Sequence, residues 1–183
     1  MLFNSYVFLF LFLPVTLLGF HLIGKLENTR ATIAWLVSAS LFFYGWWNPA
    51  YLALLLFSTI LNFSIGRLLE KYSENNSIKK VILTLGVIIN LSILGYYKYA
   101  NFFIDNLNAF VNTNIILYEV ILPLGISFFT FQQISYLVDA YYKETKEYSF
   151  LNYCLFVTFF PQLIAGPIVH HKEMMPQFIK NNF

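Results

Sequence analysis

Charge is what this sequence has least of. Asp, Glu, Lys and Arg make up only 11% of its 183 residues, where soluble domains carry about 25%, and that scarcity excludes an ordinary cytosolic enzyme. The net charge of +2 excludes the clustered basic surface that nucleic acid demands, so no nucleic-acid partner is expected. Cysteine is almost missing as well. Cys154 stands alone, which rules out an internal disulfide, a multi-cysteine zinc cluster and a redox pair. The three histidines, His21, His170 and His171, lack the spacing that sets two ligands on one helical face, and no metal is expected. Glycine and proline are sparse at 8 and 6 residues. No linker rich in them divides the chain and no repeat of about 20–50 residues is visible, so residues 1–183 read as one membrane domain.

What fills the space is hydrocarbon and ring. Hydrophobic residues reach 58% and aromatic ones 20%, led by 21 Phe and 13 Tyr. Such a composition predicts an integral membrane protein, and since lipid accepts only backbone that is hydrogen-bonded internally, an all-α, multi-spanning one. A helix needs about 20 apolar residues to cross. Five stretches approach that length: Tyr6–Ile23, Ala31–Trp47, Tyr51–Gly66, Val81–Tyr97 and Ile121–Tyr141. Asn152–Val169 is a sixth, but it contains Pro161 and Pro167, and a broken or re-entrant segment fits it at least as well as a straight span. The first stretch is too long for a signal-peptide core, and no Lys or Arg precedes it, so it reads as a retained anchor. The second and third form a hairpin that turns at Pro49 among interfacial aromatics. Residues 98–119 are helical in period but too short and polar to span, and are expected to lie along the outer interface.

Charge placement orients these spans. Alternate loops sum to eight basic residues on one side (Lys25, Arg30, Arg67, Lys71, Lys79, Lys80, Lys143, Lys146) and three on the other (Lys98, Lys172, Lys180). Lys and Arg accumulate in cytoplasmic loops, so the N-terminus is expected outside a bacterial cytoplasmic (inner) membrane.

Polar residues at bilayer depth need a partner or a wet cavity. Gln132, Tyr136, Asp139 and Lys143 recur at i, i+4, i+7 and i+11, along one face of the fifth segment. That face reads either as the polar lining of a substrate path or as hydrogen-bonding glue between helices, with Asp139 emerging into water. Asn62 and Asn90 read as packing amides. Asp105 and Glu119 read as solvated, and His21, His170 and His171 as interfacial side chains rather than bases. No nucleophile elbow, phosphate cradle or paired acidic site is present.

Several stretches are more specific: Met1-Leu-Phe-Asn-Ser-Tyr-Val-Phe-Leu-Phe-Leu-Phe-Leu-Pro14, Leu41-Phe-Phe-Tyr-Gly-Trp-Trp-Asn-Pro49, Leu94-Gly-Tyr-Tyr-Lys-Tyr-Ala-Asn-Phe102, Leu122-Pro-Leu-Gly-Ile-Ser-Phe-Phe-Thr-Phe-Gln-Gln133 and Phe159-Phe-Pro-Gln-Leu-Ile-Ala-Gly-Pro-Ile168. Together they resemble the membrane-bound O-acyltransferase family, and within it the bacterial branch of alginate O-acetylation. The resemblance implies an enzyme that takes an acyl group from a cytoplasmic donor, acetyl-CoA or an acyl carrier acting as substrate, with no bound cofactor. It implies transfer through the membrane to an exported or cell-envelope polysaccharide, or to a separate extracytoplasmic transferase. The family's catalytic histidine lies in a Trp-His-Gly-type motif, which these 183 residues lack. The resemblance thus implies a front portion that is inert alone, with no catalytic residue assigned. Gln132, Gln133, Gln162, Gly166 and Pro167 fall within the matching motifs and, with Tyr136 and Asp139, are the expected lining of the substrate path. The competing readings are a small transporter or channel subunit and a non-catalytic scaffold.

Overall fold

The computed structural model describes residues 3–26, 28–111, 121–144, 149–163 and Met174. A π-helical turn, Phe8–Phe12, runs directly into α1 (Leu13–Gly24). Then follow α2 (Thr29–Trp47), α3 (Pro49–Lys71), α4 (Asn76–Val111), α5 (Ile126–Tyr141), α6 (Phe150–Thr158) and the short α7 (Phe160–Leu163). Among the described residues there is no strand. The chain is all-α, as the composition predicts, and α3 and α4 are each long and apolar enough to cross a bilayer.

Local chemistry sets the ends. Asn28 caps α2 by accepting from the Ala31 N–H at 3.2 Å. Asn48 is the single residue between α2 and α3, and its side chain accepts from the Ala50 N–H at 2.9 Å while Pro49 opens α3. A cap and a first-turn proline together stop one helix and start the next, which makes the expected hairpin. Trp47 stacks on Tyr51 across this turn with ring centroids 5.6 Å apart.

α4 corrects one expectation. It does not stop near Tyr97 but continues unbroken to Val111, so residues 98–111 extend the fourth helix rather than forming a separate element. No proline or glycine interrupts Lys98–Val111, and a helix propagates cheaply once formed. Its 36 residues span about 54 Å at ~1.5 Å per residue, well beyond a ~30 Å hydrocarbon core. α4 buries only Lys79, Gly86, Asn90 and Leu94, one stripe against α3 and α5, and leaves Val81, Leu85, Ile88 and Leu91 exposed. The buried stripe ends on Lys79, whose ammonium lies 4.6 Å from the Tyr141 ring centroid, a cation held on an aromatic face.

α5 begins five residues later than expected, at Ile126, because Gly125 sits at φ 69° and Pro123 precedes it. The extended residues before it are pinned from both hairpin helices: the Tyr44 hydroxyl donates to the Leu124 carbonyl at 3.0 Å and the Tyr51 hydroxyl to the Ile121 carbonyl at 2.6 Å. The sixth segment is broken, as one of its two readings expects. α6 ends at Thr158, Phe159 leaves the helix at φ −53°, ψ 106°, and α7 restarts with Pro161 in its first turn. Pro161 has no N–H to give the Val157 carbonyl, so the ladder cannot run straight through.

The main core forms where α3, α4, α5 and α6 meet, around Leu55, Leu69, Phe129, Leu137, Tyr153 and Phe156. A second, aromatic cluster of Phe8, Phe12, Phe43 and Phe160 fixes the π-helical turn against α2 and α7.

Candidate functional site

The two most specific motifs, Leu122–Gln133 and the start of Phe159–Ile168, meet in space. Gly125 is where they touch. A side chain there would place its Cβ 2.5 Å from the Leu163 carbonyl oxygen, and φ 69° is a conformation that L residues rarely adopt. Glycine is therefore required twice over, by backbone angle and by the approach of α7.

One turn deeper, the break between α6 and α7 has both of its freed backbone groups captured. In an unbroken helix the Phe160 N–H would donate to the Phe156 carbonyl. Here Gln132 Nε2 donates to that carbonyl at 2.7 Å, and the Phe160 N–H donates instead to Ser40 Oγ at 3.3 Å. Ser40 is fully buried and Gln132 nearly so. Non-helical backbone at membrane depth persists only where neighbouring groups satisfy it, and α5 and α2 supply those groups.

On the other side of α5, Gln133 faces α3. Its Oε1 accepts from the Ser58 hydroxyl at 2.8 Å and from Asn62 Nδ2. Asn62 and Asn90 exchange a reciprocal amide pair, 3.1 Å in one direction and 2.6 Å in the other, joining α3 to α4. The cluster carries no formal charge, and in a low-dielectric interior its value lies in how many of its members are paired. Among the described residues, two buried side-chain groups have no hydrogen-bond partner: Gln133 Nε2 and the Tyr153 hydroxyl. Tyr153 packs on Tyr136 with centroids 4.4 Å apart, and Tyr136 in turn lies against Gly66, where a Cβ would collide with its ring.

The polar face of α5 thus divides. Gln132, Gln133, Tyr136 and Asp139 are all buried. Asp139 does not emerge into water, because α5 continues to Tyr141 before the chain leaves the helix. Lys143 lies past that end, exposed, pairing with Glu74 at 3.4 Å. Asn62 and Asn90 are packing amides, as expected. Gln162 is partly buried on α7, and Asp105 and His21 are exposed. Gly166, Pro167, His170, His171 and Glu119 lie outside the described residues. Among the described residues no group of three His, Cys, Asp or Glu could hold a metal ion.

Sequence reasoning missed Ser40, Ser58 and Tyr153. Ser40 and Ser58 look like ordinary small residues in apolar helices, and the backbone groups of Phe156 and Phe160 carry no signal in a sequence at all. Pro161 was the available clue, because a proline within a buried span requires captors for the bonds it removes.

No family model matches the chain, and no solved structure does. The chain is 43% identical to a peptidoglycan O-acetyltransferase of Helicobacter pylori over 208 aligned positions, covering 100% of the chain and 39% of the relative. It is 40% identical to a probable alginate O-acetylase AlgI of Pseudomonas aeruginosa, covering 97% of the chain and 34% of that protein. With the corresponding Azotobacter vinelandii protein it shares 38% identity, over 97% of the chain and 36% of the relative. The chain therefore spans just over a third of the length of these curated relatives. Along essentially all of its own length, it is homologous to membrane-bound O-acyltransferases of the kind named for O-acetylating peptidoglycan and alginate.

Proposed function

We propose that this chain forms part of a membrane O-acetyltransferase, which carries an acetyl group from a cytoplasmic donor, acetyl-CoA or an acyl carrier, to an exported or cell-envelope polysaccharide. The similarity to the Helicobacter pylori enzyme over the whole chain carries this reading. The geometry is consistent with it. A broken helix with satisfied backbone, set against a polar helix face, is how membrane proteins build a site at bilayer depth. Gln132, Gln133, Tyr136, Asp139 and Gln162 would border the acyl path, joined by Gly166 and Pro167 beyond the described residues. The N-terminus would face outward across the bacterial inner membrane, with acetyl groups delivered to the polymer directly or through a separate extracytoplasmic transferase.

The test uses the full-length protein in liposomes with acetyl-CoA or an acetylated carrier protein, and with peptidoglycan or alginate as acceptor. Acetyl esters on one polymer, detected by mass spectrometry, are the expected result. Solute flux without ester formation would favour a transporter instead, and recruitment of a transferase without acylation a scaffold. Gln162→Ala, on the partly buried α7, is expected to slow transfer by about tenfold while protein accumulation stays normal, since small misplacements along a path are costly.

A further inference from the structure

The break between α6 and α7 has a feature that packing alone does not require. A proline explains why the Val157 carbonyl loses its N–H, yet the Phe156 and Phe160 groups are separated by the turn at Phe159 rather than by proline chemistry. Each then meets a side chain from a different helix: Gln132 of α5 on the carbonyl, Ser40 of α2 on the N–H. Both captors are buried, and α2 and α5 approach the break from separate elements, so the turn at Phe159 is held from two sides. The same α7 presents its Leu163 carbonyl to Gly125, which fixes the first turn of α5 against the segment that leads toward Gly166 and Pro167.

We infer that Ser40 and Gln132 are positioning residues, a two-point clamp that holds the α6–α7 break in its bent geometry and thereby aims α7 at the start of α5. This deepens the acyltransferase reading and rests on it for its functional consequence. The clamp itself is a statement about backbone groups and stands apart from the reaction. Removing either captor leaves a buried backbone group unpaired, which favours local opening of the break. Removing both compounds the effect, because each captor holds a different backbone group and both bonds are lost in the same opening.

Cys154, buried on α6 one turn before the break, reports the opening. The full-length protein in membranes is labelled with N-ethylmaleimide, and the Cys154-specific rate is taken as the difference from a Cys154→Ala control. Ser40→Ala and Gln132→Met are each expected to raise that rate roughly tenfold. The double variant is expected to label faster than either single, roughly as the product of the two increases, since both contacts are lost in one opening event. Polysaccharide acetylation should fall in both singles. Should one variant fail to accumulate, the other single still carries the rate test. Unchanged labelling in either single that accumulates, or a double that labels no faster than the faster single, overturns the clamp. A wild-type protein that transfers no acetyl group removes the functional reading instead, while the labelling arm continues to decide the clamp.

Discussion

α4 and α5 are neighbours of similar apolar character, yet they sit in the molecule in opposite ways. α4 buries four of its 36 residues, whereas α5 buries nine of 16. The longer helix turns Val81, Leu85, Ile88 and Leu91 outward, where hydrocarbon is as good a solvent as a protein interior. The shorter one is enclosed and carries Thr130, Gln132, Gln133, Tyr136 and Asp139 into that enclosure. Hydrophobicity therefore does not separate inside from outside here. Hydrogen bonding does: among the polar side chains of α4 and α5, Asn90, Gln132 and Gln133 are each bonded across an interface to another helix.

The comparison can be broken most severely where α5 begins. Gly125→Val should destabilise the fold by about 3 kcal/mol or more, combining a left-handed backbone penalty with a clash against the Leu163 carbonyl, and should lower the melting temperature in detergent accordingly. Asn62→Leu comes next, at about 2 kcal/mol, because Asn90 and Gln133 lose a donor together. The double change Asn62→Leu with Asn90→Leu should cost less than the two singles summed, since removing both partners leaves no orphan amide between them. A smaller effect is expected on the outer face of α4. Ile88→Ala should shift stability by less than about 0.5 kcal/mol, because the residue meets lipid in the folded and the dissociated helix alike. A loss near that of a buried core position would place protein, rather than lipid, on this face. The smallest change belongs to Lys143, at φ 61° with an exposed partner in Glu74. Lys143→Gly relieves a left-handed backbone and loses a surface ion pair, two terms of opposite sign that should net to within about 0.5 kcal/mol.

Much of this difference is legible in the sequence. Hydropathy located the helices, Asn48-Pro49 marked the hairpin, and Pro161 marked a break. The spacing of Gln132, Tyr136 and Asp139 put them on one face, and that face is buried. What could not be read was partnership. Asn62, Asn90 and Gln133 lie 28 to 71 residues apart in the chain, and nothing local in the sequence says that three amides on three helices converge. The extent of α4 is not legible for a related reason. Lys98, Asn101, Asp105 and Asn106 suggest the end of a span, but polarity marks where a helix leaves the hydrocarbon and not where its backbone stops. The start of α5 is not legible either: Ile121 and Leu122 are apolar enough to belong to a helix, yet Gly125 and the Tyr44 and Tyr51 hydroxyls hold that segment out of it.

We propose that this chain forms part of a conduit for acetyl groups through a bilayer. Liposomes containing the full-length protein, loaded with an acetyl donor inside and bathed in polysaccharide outside, test it most directly. Acetyl esters should form on the outer polymer at a rate that depends on the enclosed donor, and only in vesicles whose protein exposes its N-terminus outward. Esters that appear equally with donor on the polymer's own side, or that never appear, would contradict it.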